Sequence, residues 1–398
     1  MLKRSLLSLS LATCLVATSG AAVTVATWND GKSSLTTLGQ IRMAYNYQDK
    51  EANYQTYYQK TNQATWNLRS RIIFSLKQHL TDDLEVGAHL RLVHIFMSRH
   101  ASSVRWSYTD ASYGTKTYTY THGKNPIRPD RFHVYLESKT FGKLVVALST
   151  GDYATQQGSA DVRDFGTTTY YLSNQARAIT YAYLDTQDRL VRYDSPNISE
   201  DLPLSASVSY GDMRSPQVNG AGETKRRYDT EVSGALMYQV GEMGQVQLLA
   251  AKKHEYVNYT TKYATEGYQL GLNLRVTPDL RIRAEVGTAH EETATLYNRY
   301  KGAGIDLSYK VGKFTPYAGA LYMNVQTKYK DGATAQQARN VYELFVGSTY
   351  TVASKVFNAF NFNLFAEALH SYTDYYKNYG ARLGEHTYAF AGGLLVTW

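Results

Sequence analysis

Residues Tyr388 to Trp398 read Y-A-F-A-G-G-L-L-V-T-W. One alternate set is Trp398, Val396, Leu394, Gly392, Phe390 and Tyr388; the other is Thr397, Leu395, Gly393, Ala391 and Ala389, mostly small. Successive side chains of a β-strand point to opposite faces, so this segment has one apolar face. The same period of two recurs along the chain, and no 3.6-residue period persists. In Tyr268–Val276, Tyr268, Leu270, Leu272, Leu274 and Val276 alternate with Gln269, Gly271, Asn273 and Arg275. Leu280–Val286 sets Leu280, Ile282, Ala284 and Val286 against Arg281, Arg283 and Glu285. Ile305, Leu307, Tyr309 and Val311 alternate with Asp306, Ser308 and Lys310, and Phe360, Phe362, Leu364 and Ala366 with Asn361, Asn363, Phe365 and Glu367.

The other end of the chain indicates export. Residues 1–21 carry Lys3 and Arg4, a short apolar core from Leu6 to Val16, and the small residues Ser19-Gly20-Ala21. This is the layout of a cleaved signal peptide, with residues 22–398 as the mature domain. The apolar run is too short to cross a bilayer as a helix. Cys14 is the only cysteine, so the mature chain has neither disulfides nor cysteine metal sites. An exported chain ending on an amphipathic strand with a terminal aromatic is similar to a bacterial outer-membrane β-barrel.

Composition agrees with a membrane barrel that is wet inside. The chain has 398 residues, 36 Tyr, 29 Gly, only 7 Pro and a net charge of +8. Its mean hydropathy of −0.41 is that of a soluble protein. A barrel escapes that inference because only alternate residues meet lipid. The abundant Tyr suits two interfacial girdles. No basic stripe implies nucleic acid, and no cofactor or metal motif is present.

Sixteen candidate strands lie near 35–47, 64–77, 84–96, 131–139, 143–151, 188–195, 203–211, 226–240, 244–257, 266–276, 280–291, 302–311, 314–328, 338–351, 357–372 and 384–398. Short connections, such as Thr81–Asp83, Lys139–Gly142, Gly241–Gly244, Thr277–Asp279 and Gly312-Lys313, alternate with long ones at 48–63, 97–130, 152–187, 212–225, 292–301, 329–337 and 373–383. Short periplasmic turns and long external loops alternate in this way in a transmembrane barrel. The seven prolines are expected in connections or at strand ends. The fold class is therefore all-β, a 16-stranded antiparallel transmembrane β-barrel. Its sixteen apolar faces are expected to form one lipid-facing belt bounded by Tyr and Trp.

Several segments carry a family resemblance. Ser70–Lys77 with Leu80 and Asp82-Asp83-Leu84 resembles the second strand and first turn of general diffusion porins. Arg131–Ser138 followed by Phe141–Val145 resembles their next hairpin. Val191–Pro196 looks like the strand after their third loop, especially in neisserial and Haemophilus-type porins. Gly158–Gly166 is similar to the acidic stretch of that loop. The chain departs at Leu148, where the family's fifth strand often carries Arg. The resemblance implies a homotrimer in outer-membrane lipid and lipopolysaccharide, whose third loop folds into each lumen as a constriction for ions and small hydrophilic solutes.

Strand parity supplies the other side of that constriction. With Ile72 and Phe74 to lipid, Arg69, Arg71 and Lys77 face the lumen. The same test sends Arg42, Arg91, Arg131 and Arg192 inward. Asp161 and Asp164, with Asp152, lie on the long connection 152–187. The expected eyelet is thus Arg42, Arg71, Arg91, Arg131 and Arg192 against Asp161 and Asp164, a transverse field across a narrow aqueous gap. The plainer reading is solvated lumen charge. His89 and His133 also fall on the lumen face, and His94 faces outward. Trimer contacts are expected from the first and last strands and from the loop 97–130, with Trp106, Tyr108, Tyr113, Tyr118 and Tyr120.

No G-x-S-x-G, H-E-x-x-H, C-x-x-C, Walker or G-x-G-x-x-G motif is present, so no catalytic residues are assigned. Besides a general porin, two alternatives stand. One is a substrate-specific channel, for example for oligosaccharides, which five or more inward Tyr or Trp along one wall would favour. The other is an outer-membrane enzyme or adhesin.

Overall fold

The computed structural model describes residues 22–55, 57–107, 117–150, 189–199, 202–218, 224–256, 262–331, 337–356, 359–377 and 382–398. Residues 1–21, expected to form the signal peptide, and the connection carrying Asp152, Asp161 and Asp164 lie outside these residues. In chain order the strands are β1 (Val23–Trp28), β2 (Ser33–Tyr54), β3 (Tyr57–His79), β4 (Leu84–Ser107), β5 (Thr117–Ser138), β6 (Gly142–Thr150), β7 (Arg189–Asp194), β8 (Leu204–Val218) and β9 (Thr224–Val240). There follow β10 (Gly244–Tyr256), β11 (Lys262–Arg275), β12 (Leu280–Glu292), β13 (Leu296–Tyr309), β14 (Phe314–Tyr329), β15 (Gln337–Val356), β16 (Phe360–Lys377) and β17 (Arg382–Thr397). Each of β2 to β17 pairs antiparallel with its sequence neighbours, and β17 pairs with β2 from Thr397↔Gln40 to Arg382↔Tyr54. The result is a closed 16-stranded barrel.

β1 is an addition that the alternation did not reveal. It forms a hairpin with the start of β2, from Trp28↔Ser33 to Val23↔Thr37. Asn29, Asp30 and Gly31 all have positive φ (56°, 53° and 83°) in the turn, a conformation these residue types tolerate best. β1 and β17 therefore share one edge of β2. Between them Gly39 N–H donates to the Trp398 carbonyl (2.8 Å) and Trp398 N–H to the Gly39 carbonyl (3.0 Å). The Trp398 ring lies where a Cβ on Gly39 would project, so that position must be bare.

Residues paired across strands share a face, so one known face fixes the parity of the whole barrel. Ile41, Met43, Ile72, Phe74 and Leu76 are exposed, and so are Leu248, Tyr268, Leu270, Ile305, Leu307, Leu364, Tyr388 and Phe390. Leu272 and Leu274 share the Leu270 face. These residues form the outer belt, as expected.

β14 breaks the expectation of sixteen outward apolar faces. The register Asp306↔Gly319 and Gly319↔Phe345 turns Tyr317, Gly319, Leu321, Met323 and Val325 to the lumen. Its outer face is the weakly apolar Ala318, Ala320 and Tyr322. The inward residues are absorbed by packing on one another, with Tyr317, Leu321, Phe345 and Leu369 in one buried cluster and Met323, Val325 and Val341 in another. The Phe345 ring lies where a Cβ on Gly319 would project, and the Tyr317 ring where one on Gly347 would. Tyr317 Oη donates to Glu367 Oε2 at 2.8 Å.

The connections are shorter than the sequence pattern indicated because the strands run on. β2 to β5 contain 22, 23, 24 and 22 residues, against the roughly 9–11 needed to cross the hydrocarbon. The expected loop 48–63 reduces to residues 55–56, and most of 97–130 is strand. Trp106, Tyr118 and Tyr120 thus belong to β4 and β5, while Tyr108 and Tyr113 lie outside the described residues. On the outer face of this extension Lys60 pairs with Asp49 (2.8 Å) and Glu51 (2.9 Å), an arrangement suited to water. Pro126 and Pro129 sit within β5 rather than in a connection, and the β4–β5 register shifts beside them, between Arg91 and Ile95. A bulge absorbs the ladder bond that proline cannot make.

At the opposite end the turns are tight. Asp83 accepts from Ser138 Oγ (2.8 Å) and from Thr140 N–H (3.2 Å), tying the β3–β4 turn to the β5–β6 turn. The Ser138 bond leads in holding its carboxyl below the usual carboxylate range.

This parity predicts an asymmetric response to charge. Leu270→Arg should destabilise the folded barrel in lipid by about 2–4 kcal/mol. Gln269→Arg, one residue along and facing Glu285, should change stability little. Urea titration of refolding into bilayers measures both.

Candidate pore lining

The five arginines singled out by parity all face inward. Arg42 lies opposite Arg69, and Arg71 opposite Gln40 and Val93. Arg91 lies opposite Arg131. Arg42, Arg69, Arg71, Arg91 and Arg131 therefore form one band over the adjacent strands β2–β5. Like charges directly opposite repel, so the band persists only where water or counter-groups answer it. None of these side chains lacks a partner.

Arg192 stands apart on β7. Its guanidinium reaches Asp194 through Nε (3.1 Å) and Nη2 (3.0 Å), with both side chains buried. Ser207 Oγ donates to the other Asp194 oxygen at 2.7 Å. Arg192 is thus neutralised where it stands. Lys77 is likewise paired, to Glu85 at 2.6 Å. Asp161 and Asp164 lie outside the described residues.

His89 and His133 face inward as expected, and they are not isolated. Their rings stack at 4.9 Å and 14°, two residues along the ladder from Arg91 and Arg131. Ser75 Oγ lies 3.1 Å from His89 Nδ1. Strand-by-strand parity sets each ring's face, but only the register brings the two together.

Across the lumen the wall differs. Arg283 clasps Asp306, Nε to both carboxylate oxygens (3.1 and 3.0 Å) and Nη2 to Oδ2 (2.8 Å), with Asp306 fully buried. Alternation placed both on the polar face but not in register. Beside them lies the apolar platform of β14–β16, which sequence patterning missed because its parity matches a lipid face. The inward tyrosines on β13–β16 are Tyr300, Tyr317, Tyr329 and Tyr375, four among the described residues and short of the aromatic ladder that would mark a specific channel. The lumen is therefore lopsided, with an arginine band on β2–β5 and local ion pairs and apolar packing opposite.

Removing one member of a buried ion pair strands the other charge, at a cost of about 3–5 kcal/mol. Asp306→Ala should lower stability by that order in urea titration. Lys32→Ala, in the exposed pair with Asp82, should not lower it measurably.

The sequence model of the Gram-negative porin family matches residues 11–362. No curated protein sequence matches. Among solved structures, the anion-selective porin from Comamonas acidovorans aligns with a TM-score of 0.55 at 12% identity, over 92% of this chain and 100% of that one. Salmonella typhi OmpF in complex with daunomycin aligns at 0.54 and 10% identity, over 92% and 99%. The trimer form of OmpT from Vibrio cholerae aligns at 0.52 and 13% identity, over 92% and 99%. At these identities the likeness is one of fold. With the family match over most of its length and a closed 16-stranded barrel whose inner face is polar and charged, the chain belongs to the Gram-negative porins and forms an outer-membrane channel for passive diffusion.

Proposed function

We propose that this chain is a general diffusion porin with a weak preference for anions, acting without catalysis. The arginine band on β2–β5 carries this reading. Every ladder neighbour of Arg42, Arg69, Arg71, Arg91 and Arg131 is either another arginine or an uncharged residue, so positive charge is concentrated on one wall. The lumen pairs Arg192–Asp194 and Arg283–Asp306 cancel locally. The Comamonas porin is anion-selective, and a band of this kind favours the same outcome here. In our reading the connection 152–187 enters the lumen and sets Asp161 and Asp164 against Arg42, Arg71, Arg91 and Arg131. Its length supports this, since long connections in compact folds are usually functional. Arg192 takes a lesser part because Asp194 holds it.

The first 21 residues are read as a signal peptide removed on export, and the barrel as sitting in outer-membrane lipid and lipopolysaccharide. The segment Val191–Pro196 supports a place near the neisserial and Haemophilus-type porins. A homotrimer is the expected assembly, and OmpT of Vibrio cholerae has a trimer form.

Reversing Arg71 and Arg131 to Glu should shift the reversal potential in a salt gradient toward cations, and neutralising Asp161 and Asp164 should shift it toward anions. An unchanged potential in the double arginine reversal removes the band from the selectivity filter. Mass measurement in mild detergent should give three copies; a purely monomeric protein overturns the assembly.

A further inference from the structure

Above the arginine band, toward the long-loop end, the inner face of β2 and β3 changes character. The inward pairs are Asn46↔Thr65, Gln48↔Gln63 and Lys50↔Thr61, with Ala44↔Asn67 just below. The one charge in this stretch, Lys50, is answered by Glu385 at 2.7 Å on β17. What remains on β2 and β3 is a surface of carboxamides and hydroxyls, flanked on β4 by the inward Arg99 opposite Thr65. A cavity of about 220 Å³ opens against it, lined by Gln48, Thr61, Gln63 and Ser103 among others.

Two amides in this wall are unsatisfied. Asn46 is 7% exposed, and both its Nδ2 and Oδ1 are buried without a hydrogen bond among the described residues. Asn67 is 4% exposed, and its Oδ1 is in the same state. Buried polar groups are nearly always paired, so two such amides on one wall call for a partner. At the rim above, Tyr54 and Tyr57 stack at 4.1 Å and 17°, offering aromatic surface beside the amides.

We infer that this wall is a binding site for a neutral polyhydroxylated solute, a small saccharide, held before it reaches the arginine band. The inference rests on the channel reading and adds a solute class to it. A carboxamide both donates and accepts, as a sugar hydroxyl does, so Asn46, Gln48, Gln63 and Asn67 match the alternating donors and acceptors of a saccharide edge. Tyrosine rings suit the C–H face of a pyranose.

The test is a planar-bilayer recording with maltotriose added on the long-loop side and a polyethylene glycol of similar size as control. Maltotriose should block the ion current saturably, while the glycol should lower it only in proportion to solution conductivity. Asn46→Ala and Gln63→Ala, each measured against its own open-channel current, should raise the half-blocking concentration by about tenfold, a loss on the scale of one hydrogen-bonded contact. Thr61→Val replaces either variant that fails to insert. Equal behaviour of maltotriose and glycol, or block unchanged in the variants, overturns the saccharide site and leaves the channel standing. No ion current from the wild-type protein overturns the channel reading itself.

Discussion

Hydrocarbon offers no partner to a backbone N–H or carbonyl, and everything else in this protein follows from meeting that demand. A closed ladder of strands meets it, and the seam between β17 and β2 closes the ladder from Thr397↔Gln40 to Arg382↔Tyr54. Once the ladder is closed, parity is shared by all sixteen strands. A slip of one residue anywhere would send Leu270 to water and Gln269 to lipid. The Trp398–Gly39 pair lies at the end of this seam, where β1 takes up the same edge of β2.

Closure also decides what charge can do inside. Charges on the inner wall are crowded by neighbouring side chains, and Arg91 and Arg131 are buried to within a tenth of their surface. Such groups must be solvated or paired in place. The barrel meets this differently on different walls. On β7 and on β12–β13 a carboxylate within reach cancels the arginine beside it. On β2–β5 arginines meet arginines, and among the described residues no carboxylate stands opposite them in the ladder. The apolar platform of β14–β16 fills its side of the lumen with rings packed over glycines.

The alternation made the belt legible, because Leu270, Leu272 and Leu274 have one physical reason to share a face. Arg42, Arg71, Arg91, Arg131 and Arg192 were legible for the same reason. Pairings were not. Nothing in either strand alone states that His89 will meet His133 or that Arg283 will meet Asp306, because register is set by turns and bulges and not by periodicity. β14 defeated the pattern because self-packing inside the lumen stabilises an apolar stripe as effectively as lipid does. The strand extensions at 48–63 and 97–130 were invisible because both their faces are wet. Gln, Thr, Asn and Ser on both faces of a strand look like a loop in sequence.

Those extensions change how the arginine band acts. Ten or so residues beyond the belt, tilted as barrel strands are, raise the wall on β2–β5 by roughly 20–30 Å. Physiological salt screens charge over about 8 Å. The band therefore exerts little pull on ions in the bulk outside and acts on those already within the raised vestibule. Capture and selection are then separate events. In the reading proposed above, the amide-rich wall around Gln48 and Gln63 would hold solute in the vestibule, and the arginines beneath it would select the ions that pass. Changing one wall should leave the other's task largely intact, because the two sit on successive stretches of the same strands.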